Sequence, residues 1–324
     1  MAAPVDLPWY VSPLTPPKDR LTFGVELEVS AAYLVAGEKD RDPDDPRSVY
    51  HISTGDKSLT LWQNNRNHIA ETLRSNGIAA EVVPEPGDNS YTRQNPRAWV
   101  IASDLAVFEK PPDDGEGWYN YSPVELISPV FYYTQEALDE VKFVMTLMSN
   151  TYRCGTTTGL HVHVGNSTKG FPPSVIQKLL GTIWTFKEHL ELIHPKVRWD
   201  YGMCPSMRRG STLIGTDEYL KKPEQRTKLG GFEWLMAPEN SDMTELYEAT
   251  KPNADLYPES IRSGINIKCL SDEKDAKNTV EFQTACYDFR SGGSGALDQG
   301  LCRTSRVCGH GVRCSAQRIF EGSF

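Results

Sequence analysis

Glu26 and Glu28 stand two residues apart in FGVELEV (23–29), interleaved with Val25, Leu27 and Val29. On a strand, alternate residues share a face, so this spacing aims both carboxylates one way and an apolar ridge the other. Neighbouring carboxylates repel unless something cationic sits between them. A hard divalent cation such as Mg2+, which takes oxygen ligands, is the natural guest; a solvated strand face produces the same alternation. His161 and His163 repeat the pattern in GLHVHVGN (159–166), opposite Leu160, Val162 and Val164. Imidazoles so placed can ligate a metal, face a phosphate, or serve as a hydrogen-bonded pair on a half-exposed sheet. A zinc site needs a third nitrogen or sulfur ligand at suitable spacing, and no nearby residue offers one. Gly159 and Gly165 flank the strand and would let backbone approach a ligand closely.

Three further acidic residues follow the same logic. Glu281, in TVEF (279–282), shares a face with Thr279 and opposes Val280 and Phe282. Glu125, in VELISP (124–129), opposes Val124 and Leu126, and Asp104 ends the apolar run WVIASD (99–104). Each alone reads as a solvated strand residue. Together they place carboxylates and imidazoles on one face of several strands whose other face is apolar, which makes a cation cradle. Such a cradle suits Mg–nucleotide chemistry, where the protein positions and neutralises phosphate oxygens. The chain has no GxxxxGK[ST], no GxGxxG, no HExxH, and no GxSxG at a strand-to-helix elbow.

Period-two alternation predicts strands at Leu21–Ser30, Ala79–Val83, Ala98–Val107, Val124–Ser128 and Gly159–Asn166, and a pair at Gly264–Leu270 and Thr279–Cys286 joined by the turn 271–278. Helical spacing predicts Ser58–Asn76, stopped by Gly77, and Thr134–Tyr152, with Leu138, Val141, Val144, Met145 and Met148 on one face. A second long helix is expected over Pro172–His194, opened by Pro172 and Pro173 and stopped at Pro195. Residues 199–258 read as irregular except for a short helix near Met243–Thr250. The order shows no repeat and no regular β-α-β rhythm, which favours an α+β fold with a largely antiparallel sheet and helices on one side.

The 324 residues suffice for a large core. A net charge of -9 argues against general nucleic-acid binding, which calls for a basic stripe. The Pro-punctuated start lacks the apolar segment of a signal peptide, and no apolar run of about 18 residues exists, so no membrane span is expected. Cys154, Cys204, Cys269 and Cys286 are scattered as in reduced proteins, so the expected compartment is cytoplasmic. The tail carries Cys302, Cys308 and Cys314 with His310, a spacing that fits no common zinc motif. It reads instead as a disordered or altered end.

FGVELEV, WVIASD, VELISPV, GLHVHVGN and TVEF, in that order, resemble the amidoligase family in its fungal form, over roughly residues 20 to 290. The helix after the histidine strand is also similar, as is IHPKVR (193–198). The resemblance implies a glutamine synthetase-like fold: a curved, largely antiparallel sheet lining the active site, with helices packed on its outer face. It divides the chain into a Pro-rich segment (1–19), a catalytic domain (20–290) and a tail (291–324). It implies ATP and Mg2+ as cofactors, and a reaction in which ATP phosphorylates a carboxylate and an amine then displaces phosphate. Substrates would be small-molecule or peptide carboxylates and amines, with no nucleic acid or membrane partner and the oligomeric state open. Carried over by position, Glu26, Glu28, Glu125 and Glu281 bind metal, and His161 or His163 touches metal or nucleotide phosphates. Arg198 clamps a phosphate or carboxylate, with Arg208 and Arg209 as alternatives.

One departure bears on activity. The family continues its last motif with Arg, and this chain has Gln283, a neutral amide. Arg290 is the candidate replacement, and the segment GALD (295–298) resembles a family Gly-Thr-Leu-Asp before the sequence diverges. Two other readings follow: a degenerate ligase that binds a nucleotide or partner without turnover, and a metal-dependent hydrolase using His161, His163 and Glu281.

Overall fold

The structure, a computed structural model, describes residues 21–52, 61–84, 93–104, 107, 119–155, 158–167, 169–191, 205–215, 228–240, 242–256, 264–271 and 277–285. The fold is mixed α+β with a largely antiparallel sheet, as the alternation and element order predict. The described residues fall into two compact units, one within 24–160 and one comprising 21–23 and 161–285. No described helix is long and apolar enough to cross a membrane.

In the first unit, β1 (Thr22–Val35) runs antiparallel to β5 (Asn120–Ile127), from Glu26 opposite Ile127 to Tyr33 opposite Asn120. The strand extends past the expected end at Ser30 because β5 stays paired with it to Tyr33 and β2 (Tyr50–Ile52) pairs in parallel with Tyr33–Val35. The remaining strands are β3 (Ala80–Val82), β4 (Trp99–Ala102) and β6 (Phe131–Tyr132), in the order β3-β4-β5-β1 with β2 and β6 also on β1. The strand expected over Ala98–Val107 is thus four residues long. Leu27, Val29, Val124, Leu126 and Ile101 share a fully buried face. Burying each such side chain contributes about 1.5–3 kcal/mol.

Helix α1 (Leu61–Ser75) buries Ile69 and Leu73, packs on β3, β4 and β5, and stops before Gly77, whose φ of +84° a side chain would oppose. Helix α2 (Gln135–Thr151) starts at Thr134, whose hydroxyl accepts from Ala137 N–H at 3.3 Å, and buries the predicted stripe from Leu138 to Met148. Trp99, on the Leu126 face, donates from Nε1 to Glu140 of α2 at 3.0 Å, so this helix covers the apolar side of the sheet. The opposite face, which carries Glu26 and Glu28, turns apolar further along β1, where Ala32 and Leu34 cluster with Val49 and Tyr119.

Past α2, buried Arg153 ties down the loop after β1. Its guanidinium makes a bidentate pair with Asp40, at 2.7 and 3.0 Å, and donates to the carbonyls of Arg47 and Asp45. The Tyr119 hydroxyl accepts from Arg153 and donates to Asp40. Such fork-on-fork geometry fixes direction as well as distance.

In the second unit, strands are ordered β7-β9-β8: β7 (Gly159–Gly165), β8 (Ile265–Asn266) and β9 (Thr279–Ala285). The pair β8–β9 is antiparallel, with Ile265 opposite Phe282 and Asn266 opposite Glu281. The strand expected over Gly264–Leu270 shrinks to two residues because Asn266 Oδ1 accepts from Lys268 N–H at 3.0 Å and turns the chain into a short helix at Lys268–Ser271. The long helix expected over Pro172–His194 breaks at Phe186, into α3 (Pro173–Thr185) and α4 (Lys187–Glu191). The stretch read as irregular holds α5 (Met207–Gly210), α6 (Lys228–Met236) and α7 (Met243–Thr250), the last at its expected place and capped by Asp242. The helix at Lys268–Ser271 is α8.

Two glycines let α3 and α6 approach closely. A Cβ on Gly231 would lie 1.9 Å from Trp184 Cζ2, and one on Gly181 would lie 3.1 Å from Met236 Sδ. Ile176, Leu180, Trp184, Leu235, Leu246 and Val280 form the core around this contact.

Candidate functional site

The carboxylates of the first unit come together through strand register. Glu28 is directly opposite Glu125 on β5, so the two side chains project from the same face. Glu26, two residues back on β1, shares that face and is buried, whereas Glu28 and Glu125 are half-buried. The site end of β1 is locked by the SP turn of VELISPV: Val25 N–H donates to Ser128 Oγ at 2.8 Å, and Ser128 N–H donates to the Val25 carbonyl at 2.9 Å. Three carboxylates on two bonded strands form a face of concentrated negative charge, a donor set of hard oxygens.

The second unit assembles His161, His163 and Glu281. Both imidazoles are buried on β7, and Glu281, only 2 % exposed, projects from the adjacent β9. His161 Nδ1 is 3.4 Å from Glu281 Oε1. His163 Nδ1 is 3.1 Å from the Thr279 hydroxyl, which fixes the plane of the ring and sets Nε2 on its opposite edge. Glu281 accepts from Asn266 Nδ2 on Oε2 at 2.8 Å and from Gln283 Nε2 on Oε1 at 2.5 Å. A carboxylate with its oxygens engaged by different donors is fixed in both position and rotation.

Gly165 is needed for a reason other than the ligand approach its place in the motif suggests. A Cβ there would meet Thr22 Oγ1 at 2.7 Å and Thr279 Cγ2 at 3.3 Å, so the close approach is to protein side chains.

The arginines divide differently. Arg208, on α5, is half-buried and gives its Nη1 to Glu188 of α4 at 2.7 Å, tying two helices of the second unit together. Arg209 is exposed. Arg198 and Arg290 lie outside the described residues, as do the tail cysteines and His310.

Sequence reasoning missed two members of the second cluster. Asn266 stands alone between Ile265 and Ile267, a polar residue in an apolar run, and that break in pattern was the available signal. Gln283 reads from the sequence only as a missing arginine; its i+2 relation to Glu281 was enough to put both on one face.

Residues 19–284 match the family model described as "Putative amidoligase enzyme". No curated protein and no solved structure matches the chain.

Proposed function

The chain belongs to the amidoligase family, and from that footing we propose that it is an ATP- and Mg2+-dependent ligase joining a carboxylate to an amine. The carrying observation is the Glu28–Glu125 register pair with Glu26 on the same face. Opposed like charges cost stability when left to themselves, and a divalent cation turns that cost into a binding energy. The donor types fit Mg2+, a hard cation that takes carboxylate and phosphate oxygens. Held by Glu26, Glu28 and Glu125, the cation would supply positive charge that offsets the negative charge developing during phosphoryl transfer.

The proposed reaction has two steps. A substrate carboxylate oxygen attacks the γ-phosphorus of ATP and ADP leaves, giving an acyl phosphate. The amine nitrogen then attacks the acyl carbon, phosphate leaves, and the nitrogen loses a proton. Glu26, Glu28 and Glu125 are assigned as cation ligands of the first unit; Glu281 with His161 or His163 is assigned to cation or phosphate in the second. Arg198 and Arg290 are assigned as clamps on the transferring phosphoryl group. The relation to glutamine synthetase, the cytoplasmic location and the small-molecule or peptide nature of the substrates belong to the same proposal.

A second reading rests on Gln283, which carries no charge where the family has Arg: nucleotide binding without turnover. Calorimetric titration of Mg-ATP into the protein and into Glu26→Gln, followed by a screen for phosphate release with carboxylate and amine pairs, tests both. Binding that requires Mg2+ and Glu26 supports the site, and phosphate release then supports the ligase. Binding with no turnover on any pair, even in Gln283→Arg, favours the second reading. No binding at millimolar nucleotide overturns both.

A further inference from the structure

Gln283 lies two residues beyond Glu281 on β9, so the two side chains share a face. Its Nε2 donates to Glu281 Oε1 at 2.5 Å, while Asn266 Nδ2 donates to Oε2 at 2.8 Å. The direction of the Asn266 amide is set independently: Oδ1 accepts from Lys268 N–H, so the NH2 end is the one that meets Glu281. Glu281, Gln283 and Asn266 are 2 %, 3 % and 9 % exposed. Donors from two strands thus grip the two oxygens of one buried carboxylate.

Both grips are carboxamides. They fix the rotation of the carboxylate, while His161 Nδ1 lies 3.4 Å from Oε1.

We infer that Gln283, with Asn266 on the other oxygen, is a positioning residue that holds Glu281 for a divalent cation. This deepens the proposal that Glu281 is a cation ligand and rests on it. Gln283 is then a working part of the site.

The test is Mn2+ binding to the full chain, read as loss of the free-ion signal in electron paramagnetic resonance, with metal-free thermal unfolding of each variant. The wild type should bind, and Glu281→Gln should bind far more weakly. Gln283→Met, which keeps the volume and removes the donor, should weaken binding about tenfold or more, as removal of a ligand's hydrogen-bonding partner commonly does. Should that variant fail to fold, Asn266→Ser reads the other oxygen: its hydroxyl is too short to replace the amide, and binding should again weaken. Wild-type affinity in a folded Gln283→Met or Asn266→Ser, with Glu281→Gln impaired, overturns the inference and leaves the cation reading standing. No binding by wild type, or wild-type binding by Glu281→Gln, overturns the cation reading and the inference with it.

Discussion

Glu28 and Glu125 face each other across the β1–β5 ladder as a registered pair, with Glu26 further along the same face. Opposed like charges on neighbouring strands cost roughly 0.2–1 kcal/mol, and a bound cation reverses that sign. Mg2+ should therefore stabilise the wild type against urea, by about 1.4 kcal/mol at a free concentration ten times its dissociation constant. Glu28→Gln and Glu125→Gln should lose most of this increment. Equal stabilisation of the variants and the wild type would remove the pair from the site.

The Arg153–Asp40 pair gives the first unit an acid-sensitive clamp. The Arg153 guanidinium, bonded through two nitrogens, holds the Asp40 carboxyl well below the usual carboxylate range. A carboxyl that titrates lower when folded than when unfolded contributes in full above its unfolded value of about 3.9, and the contribution drains away as pH falls toward the depressed value. The slope of unfolding free energy with pH below about 4 should be shallower in Asp40→Asn than in wild type. Arg153→Met leaves its partners without the donor and should cost about 1–3 kcal/mol at neutral pH. An Asp40→Asn acid limb that superimposes on the wild type would show that the pair is thermodynamically idle.

Two glycines at one helix contact should respond differently to the same methyl group. In a helix, Gly→Ala gains about 1 kcal/mol from backbone propensity. At Gly181 the new Cβ would meet the flexible ends of Met236 and the Phe232 ring at 3.1–3.3 Å, so the gain and the crowding should nearly cancel. At Gly231 it would fall 1.9 Å from the buried Trp184 ring, which is 1 % exposed and has little room to retreat. Gly231→Ala should lower stability by about 2 kcal/mol or more, seen as a reduced midpoint in urea. A neutral Gly231→Ala would mean that α3 and α6 can separate at little cost.

How much of this was legible in the sequence depends on whether local pattern or distant contact made the decision. The alternation in FGVELEV and GLHVHVG gave strand, face and candidate ligands together, because strand periodicity is a purely local property. The stripe from Leu138 to Met148 gave α2 for the same reason. Helix α6 was invisible: KLGGFEWLM carries paired glycines, and at the second, Gly231, Trp184, some fifty residues earlier, occupies the space a side chain would need. The shortening of β8 was equally hidden, since it turns on one Asn266 side chain accepting from the backbone two residues later. The Glu28–Glu125 pairing needed a register between strands almost a hundred residues apart, which no local pattern encodes.

Thr279 offers a test of His163 that separates chemistry from packing. Its hydroxyl lies 3.1 Å from His163 Nδ1, and its Cγ2 methyl fills the space left by Gly165. Thr279→Val keeps the shape and the methyl contact but removes the hydroxyl; Thr279→Ser keeps the hydroxyl and removes the methyl. If Nε2 of His163 meets a cation or a phosphate, the hydroxyl matters because it sets the ring plane, and partners of this kind are worth about 10–100-fold in metal affinity. Thr279→Val should then weaken Mn2+ or Mg-ATP binding about tenfold with little change in the unfolding midpoint, and Thr279→Ser should bind as wild type while losing some stability. The opposite pattern, with binding intact in Thr279→Val, would make His163 a core residue whose ring is held for packing alone, and would leave His161 as the imidazole to pursue.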